Sequence, residues 1–307
     1  YDNTSGSLVP FATVNKGASI NIATDYGNWW RVVISDRVGY VRKSEFLAEF
    51  TKNDRYFQVI TDSTIVYDNR GNGPLKPVGT LTKGQVYPRV SDYGNWHRIQ
   101  FGDYYGYVAK KDTAPTSNKS IKNENNNRYS TAGRAIEALI DIEVYDNSTG
   151  KLVPFATVNQ GAYITIATDY GNWWRVVISD RVGYVRKSEV KASFTTNDQY
   201  FQVISDSAIV YENYSEQPQK PVATILKGQV YPLHGEIGDW HRIQFGNYYG
   251  YVRKAHTIPS DGSAIQNENK SYSTQGREFT TTQDMIVYDN TSGNLVPFAT
   301  ISEGTKA

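Results

Sequence analysis

The sequence predicts an all-β chain: tandem small barrels of two types, A and B, that alternate as A-B pairs. Three observations carry this. First, Asp25-Tyr26-Gly27-Asn28-Trp29-Trp30-Arg31-Val32-Val33-Ile34, followed by Ser35-Asp36-Arg37-Val38-Gly39-Tyr40-Val41, reads as turn, strand, tight turn, strand. Second, this phrase returns at Asp169 to Val185, as a variant at Asp92-Tyr93-Gly94-Asn95-Trp96-His97 to Val108, and more loosely at Ile237-Gly238-Asp239-Trp240-His241 to Val252. Third, the Tyr-Asp-Asn opening recurs at Tyr1, Tyr67, Tyr145 and Tyr288, with Tyr211-Glu212-Asn213 between, at spacings that alternate between a short and a long step.

Within repeat A, Leu8 to Gly17 has its twin at Leu152 to Gly161, and Ile20-Asn21-Ile22 alternates apolar and polar as a half-buried strand does. Within repeat B, Lys76 to Tyr87 matches Lys220 to Tyr231. In both types a Gly separates two short strands, where a tight turn needs φ > 0. Opening strands are predicted at Tyr56 to Ile60 and at Ala135 to Ile140. A helix over Gly133 to Leu139 is the lesser reading, because the aligned copies read as strands.

The predicted layout is repeat A over 1–50 with its opening strand missing and repeat B over 51–112. A polar linker follows over 113–127, then A over 128–190 and B over 191–258. A second polar linker covers 259–274, and a partial A covers 275–307. The A-to-B joint through Phe46 to Phe50 has little slack, so A and B should pack as a pair. The B-to-A joints have the Pro, Ser and Asn content of linkers. The incomplete repeats at both ends predict that more chain, or a neighbouring copy, completes them.

Composition narrows the function. The 307 residues carry 32 basic and 31 acidic side chains, so binding to nucleic acid through charge alone is disfavoured. No apolar run approaches the roughly 20 residues of a spanning helix. Cys is absent, which excludes disulfides and thiolate metal sites. Of the four His, His97 and His241 are repeat partners and stand in separate barrels, so no converging catalytic or metal-binding set is visible. No catalytic residue, metal or cofactor is predicted.

About 60 residues per unit, a Val-Tyr-Asp opening, the Gly-Asn-Trp-Trp strand and a closing Gly-Tyr-Val resemble an SH3-like barrel, and most closely the bacterial SH3 domains found in tandem on cell-wall hydrolases and envelope proteins. The resemblance implies noncatalytic attachment of a secreted or surface protein to wall glycan or peptide. Two alternatives stand beside it: a stalk or filament whose copies bind each other head to tail, and the targeting region of a wall hydrolase. Trp29, Trp96, Trp173 and Trp240 share one repeat position. Each is either a stacking platform for a ligand or a packed residue closing the barrel. Tyr26, Trp30, Tyr170 and Trp174 are predicted to join the same site. The second Trp of repeat A, replaced by His97 and His241 in repeat B, predicts that the A-type Trp contribute more to binding. The balanced charge predicts weak salt dependence.

Overall fold

The computed structural model describes residues 1–70, 73–117, 129–265 and 274–306. The chain divides into two compact units, Tyr1–Ala167 with Arg175–Val185 and Thr168–Trp174 with Arg186–Ala307. Among the described residues helix is confined to short 3-10 turns such as Lys43–Glu45 and Lys110–Asp112, and the architecture is all-β.

In the first unit, repeat B is a small antiparallel barrel. Tyr56–Val59 lies between Thr113–Thr116 and Val86–Pro88. Ser63–Tyr67 lies between Pro77–Thr82 and Tyr104–Ala109, and Trp96–Phe101 joins Tyr104–Ala109 to Ser91–Tyr93. The strands alternate in burial because successive side chains point to opposite faces: Trp96–Phe101 reads half-buried, buried, half-buried, buried to its end. Phe57, Val59, Val66, Ile99 and Val108 fill the core. In the second unit Phe201, Val203, Val210, Ile243 and Val252 repeat that core.

The first repeat A is thinner. Ile22–Tyr26, Trp29–Ile34 and Arg37–Arg42 form a three-stranded sheet. The strand predicted from Ile20 begins at Ile22, and Val9 is held only by a bridge to Asp2. Ser35 and Asp36 both take positive φ, 48° and 62°, which gives this two-residue hairpin the backbone of a primed turn. Phe11, Val32, Gly39 and Phe46 line a cavity of about 800 Å³ beside this sheet. In the third repeat the opening segment is the strand Ala135–Ala138, paired with Tyr163 to Thr165; it is not a helix.

The segments read as linkers begin with structure. Thr113–Thr116 and Thr257–Ser260 are strands that close the two B barrels. Each contains a Pro, but each is an edge strand, where the missing N–H has no ladder partner to lose. The rest of the first linker from 118, and 266–273 of the second, lie outside the described residues.

The B-to-A step is also a packed joint. Val153–Val158 adds to the edge of Pro77–Thr82, with Ala156 opposite Leu81 and Val158 opposite Gly79. The strands come closest at Gly79, where a Cβ would fall 2.2 Å from the Thr157 carbonyl oxygen; the equivalent position in the second unit is Ala223, opposite Ile301. The buried Tyr87 hydroxyl donates to the Phe155 carbonyl, and the Arg181 guanidinium lies 4.1 Å from the centre of the Phe155 ring. In the second unit Val296–Ile301 adds to Pro221–Leu226 in the same way, and Tyr231 donates to the Phe298 carbonyl at 2.6 Å. The hairpin Met285–Asp289 with Val296–Ile301 is thus covered by the preceding B barrel of its own chain.

His97 and His241 occupy the position of Trp30 and Trp174, and both are 0 % exposed. Each stacks on a core Phe, His97 on Phe57 at 4.8 Å and His241 on Phe201 at 4.8 Å. Burial pushes the His97 pKa down from 6.5 to about 4, against the opposing pull of Asp92. Burial, with Lys254 nearby, pushes His241 down to about 3. Burial alone would raise Asp92, but hydrogen bonds from His97, Arg89 and Lys110 outweigh it and hold that carboxyl at about 2. A depressed folded pKa gives stability that is present above the unfolded pKa and lost as pH falls toward the folded one. The melting temperature should therefore fall between pH 6.5 and 4, above the range where Asp92 titrates. In a His97→Phe, His241→Phe variant the fall across that window should shrink. An unchanged slope would assign the pH dependence to other groups.

Candidate functional site

The A-to-B joint in each unit is organised around a buried ion pair. Lys43 follows the Arg37–Arg42 strand on a 3-10 turn and is 1 % exposed. Its Nζ donates to Asp25 Oδ1 at 2.8 Å, Gln58 Oε1 at 3.1 Å and Thr116 Oγ1 at 3.1 Å. Gln58 Nε2 in turn donates to Asn28 Oδ1 at 2.8 Å and to the Gly84 carbonyl at 2.9 Å. Burial lowers the Lys43 pKa, and Asp25 opposes that shift. The second unit repeats part of the set, with Lys187 on Asp169 at 2.6 Å and Gln202 on Asn172 at 2.9 Å and Gly228 at 2.8 Å, but Gln202 Oε1 accepts no bond from Lys187.

Beside each ion pair lies a cleft. The first, about 530 Å³, is walled by Asn28, Trp29, Arg42 and Ser44 from repeat A and by Gln58 and Lys83 from repeat B, among others. The second, about 340 Å³, is walled by Asn172, Trp173, Arg186, Ser188, Gln202 and Lys227 in the same places. Every wall residue of one cleft has the same residue type in the other. The Trp and the Arg face each other across the hairpin: Trp29 opposes Arg42, whose guanidinium sits 5.3 Å from the indole centre, and Arg186 sits 5.2 Å from Trp173. A half-buried indole, a guanidinium, an ammonium and a hydroxyl can hold a ligand that has a flat or apolar face and an anionic group.

The predicted site residues separate. Trp29 and Trp173 are half-buried and line the clefts. Trp30 and Trp174 are 3 % and 2 % exposed, because strand alternation turns them into the core; no ligand can stack on them. Tyr26 and Tyr170 are exposed but lie outside the cleft walls. Tyr26 instead carries Arg31 at 4.3 Å over its ring. Trp240 is 7 % exposed under Arg253, which corrects its reading as a platform. Trp96 is half-buried and lines a separate groove. Sequence reasoning missed Arg42, Ser44 and Lys83. The signal for them was there: an Arg-Lys-Ser follows both A-type Gly-Tyr-Val strands, and a Lys-Gly pair marks both B-type turns.

A Thr113–His97–Asp92 trio has the connectivity of a nucleophile, base and orienting acid, with His97 Nδ1 2.8 Å from Asp92 and Nε2 3.0 Å from Thr113. Thr113 is 1 % and His97 0 % exposed, so substrate has no access to either. Among the described residues no three His, Asp or Glu side chains gather to hold a metal. Among the described residues no helix is long and apolar enough to cross a membrane.

No family model matches the sequence, and no curated protein matches it. Among solved structures the chain is similar to NlpC2 from Trichomonas vaginalis, at 8% identity and a TM-score of 0.19 over 71% of this chain and 96% of that one. It is also similar to NlpC1 from the same organism, at 10% identity and a TM-score of 0.17 over 70% and 95%. Likeness at that level carries no argument about this chain.

Two expected outcomes test the site. Trp30→Ala and Trp174→Ala should each cost about 3–5 kcal/mol in chemical denaturation, as truncation of a buried Trp does; Trp29→Ala should cost less than about 1.5 kcal/mol. Lys43→Ala leaves the buried Gln58 Oε1 without its donor, while Asp25 keeps Thr116, and should destabilise the first unit by about 1–3 kcal/mol, the usual cost of an unsatisfied buried polar group. A near-neutral Lys43→Ala would show that the pair does not hold the joint.

Proposed function

We propose that this chain is a noncatalytic, secreted repeat region that attaches to bacterial cell-wall material, as its resemblance to the bacterial SH3 domains implies. The observation that carries the reading is the duplicated cleft. The two B barrels differ at neighbouring positions, Tyr93 against Ile237 and Ala109 against Arg253, yet their contributions to the cleft are the same. Two like sites on one chain suit a polymer that repeats its own epitope, since the second capture becomes intramolecular. The cleft chemistry suits a wall glycan or peptide that bears a carboxylate: the carboxylate meets Arg42 or Lys83, and the apolar face meets Trp29. Enzyme activity has no role in this reading.

The stalk reading keeps one support. A B barrel accepts an A strand along Pro77–Thr82 and again along Pro221–Leu226. Exchange of that A strand onto the B barrel of another copy would make the same pairing between chains and build a fibre.

Sedimentation of the 307-residue chain with purified peptidoglycan tests the proposal. Binding should survive removal of teichoic acid and fall more than tenfold in the Trp29→Ala, Trp173→Ala double variant, with the melting temperature nearly unchanged. Exposed ion contacts contribute about 0.2–1 kcal/mol each, so raising salt from about 50 to 500 mM should weaken binding by about fivefold at most. Binding that vanishes with the teichoic acid would overturn the reading. Light scattering that reports concentration-dependent polymers without wall affinity would favour the fibre.

A further inference from the structure

We infer that the first B barrel carries a separate binding groove for an uncharged saccharide, opened by Ala109. The four equivalent Trp differ in what stands across the hairpin from them. After Gly-Tyr-Val the chain reads Arg42, Ala109, Arg186 and Arg253. Trp29 lies opposite Arg42 and Trp240 opposite Arg253, and in both the guanidinium covers the indole, at 5.3 and 4.1 Å. Arg186 covers Trp173 at 5.2 Å. Trp96 lies opposite Ala109, whose methyl group cannot reach across the ring. The consequence is visible at the surface. Between the two B barrels, Trp240 under its Arg at 4.1 Å is 7 % exposed, whereas Trp96 is half-buried, as Trp29 and Trp173 are, and forms one wall of a groove of about 1080 Å³. Tyr67 stands edge-on to the Trp96 indole at 5.7 Å and fixes its plane. Leu47, Phe50, Ile65 and Leu75 supply the remaining apolar wall, and Leu47 is 83 % exposed.

The chemistry of the groove selects the ligand. Its charges are Glu49 and Asp112 against Lys110 and Lys111, so they cancel. Lys110 is tied to Asp92 at 2.9 Å, and Asp112 accepts from Thr64 at 3.0 Å. The groove offers no excess of either sign to an ionic ligand. An extended peptide cannot add as a strand either, because Ser63–Tyr67 and Trp96–Phe101 are paired on both sides. What remains is an indole face with hydrogen-bonding groups at its rim, Asn95 and Ser63 among them. A pyranose ring fits this: its C–H face stacks on the indole and its equatorial hydroxyls reach the rim. The inference does not depend on the paired clefts at Trp29 and Trp173.

The test uses the 307-residue chain labelled with ¹⁵N at Trp, the Trp96 indole resonance being assigned by Trp96→Phe. Titration with tetra-N-acetylchitotetraose should shift that resonance to saturation at millimolar concentration and leave the Trp29 and Trp173 resonances in place. Ala109→Arg installs the residue that the other three copies carry, so the barrel should keep its melting temperature while saccharide affinity falls at least tenfold. Should Ala109→Arg lower the melting temperature, Ala109→Gln supplies a smaller cap and should weaken binding by a lesser factor. Sedimentation with peptidoglycan through the paired clefts should be unaffected by either variant, which separates this groove from the wall-attachment reading. A Trp96 resonance that does not move with saccharide, one that moves only with tetra-alanine, or undiminished saccharide affinity in both Ala109 variants would overturn the inference.

Discussion

The joint between repeats depends on one buried cation. Lys43 and Lys187 sit almost entirely out of water, and each is held by a carboxylate of its own repeat A, Asp25 or Asp169. Taking an ammonium out of water is unfavourable unless its protons are satisfied. Asp25, Gln58 and Thr116 meet that demand in the first unit, and two of these three belong to repeat B. Lys43 is therefore fully satisfied only when A and B are docked. Gln58 carries the constraint on to Asn28 and to the Gly84 turn, and these residues form the cleft wall. The same groups that fix the joint shape the site.

The B-to-A joints rest on different physics. A strand of repeat A extends the sheet of the preceding B barrel, so edge N–H and C=O groups that would otherwise face solvent are paired. A Tyr on the B side, the buried Tyr87 or the half-buried Tyr231, donates to a carbonyl of the incoming strand and locks its position. Polar joint and strand joint alternate, and each is repeated within the chain.

Access to the aromatic positions is decided one residue at a time. All four Trp lie at the start of equivalent strands, and the strand sets which way each indole points. The cross-strand neighbour then decides whether the face is available. An Arg on one side of the ring lends the site a positive charge and leaves Trp29 and Trp173 half-buried, while at Trp240 it lies closer and the ring is buried; an Ala adds neither charge nor cover. One hairpin position thus presents two chemistries: positively charged clefts at the A-to-B joints and a charge-balanced groove at Trp96.

The sequence by itself determined the all-β architecture, the alternation of A and B, and the hairpin on which every Trp stands. These follow from local patterns: period-two burial, turn residues at fixed offsets and a repeating phrase. It also held the separation of Trp29 from Trp30, since alternation along a strand places neighbours on opposite faces. Only the tertiary structure decided which aromatic residues are reachable. Trp240 and Trp96 look alike along the chain, and their difference lies 13 residues on, at Arg253 and Ala109. Only the tertiary structure placed Lys43 in the joint, because its partners Gln58 and Thr116 come from another repeat. And Thr113–Thr116 and the Pro259-Ser260 pair read as linker by composition, yet belong to edge strands through pairing with Tyr56–Val59 and Tyr200–Val203. Composition records local preference, while strand pairing is a contact between segments distant in the chain.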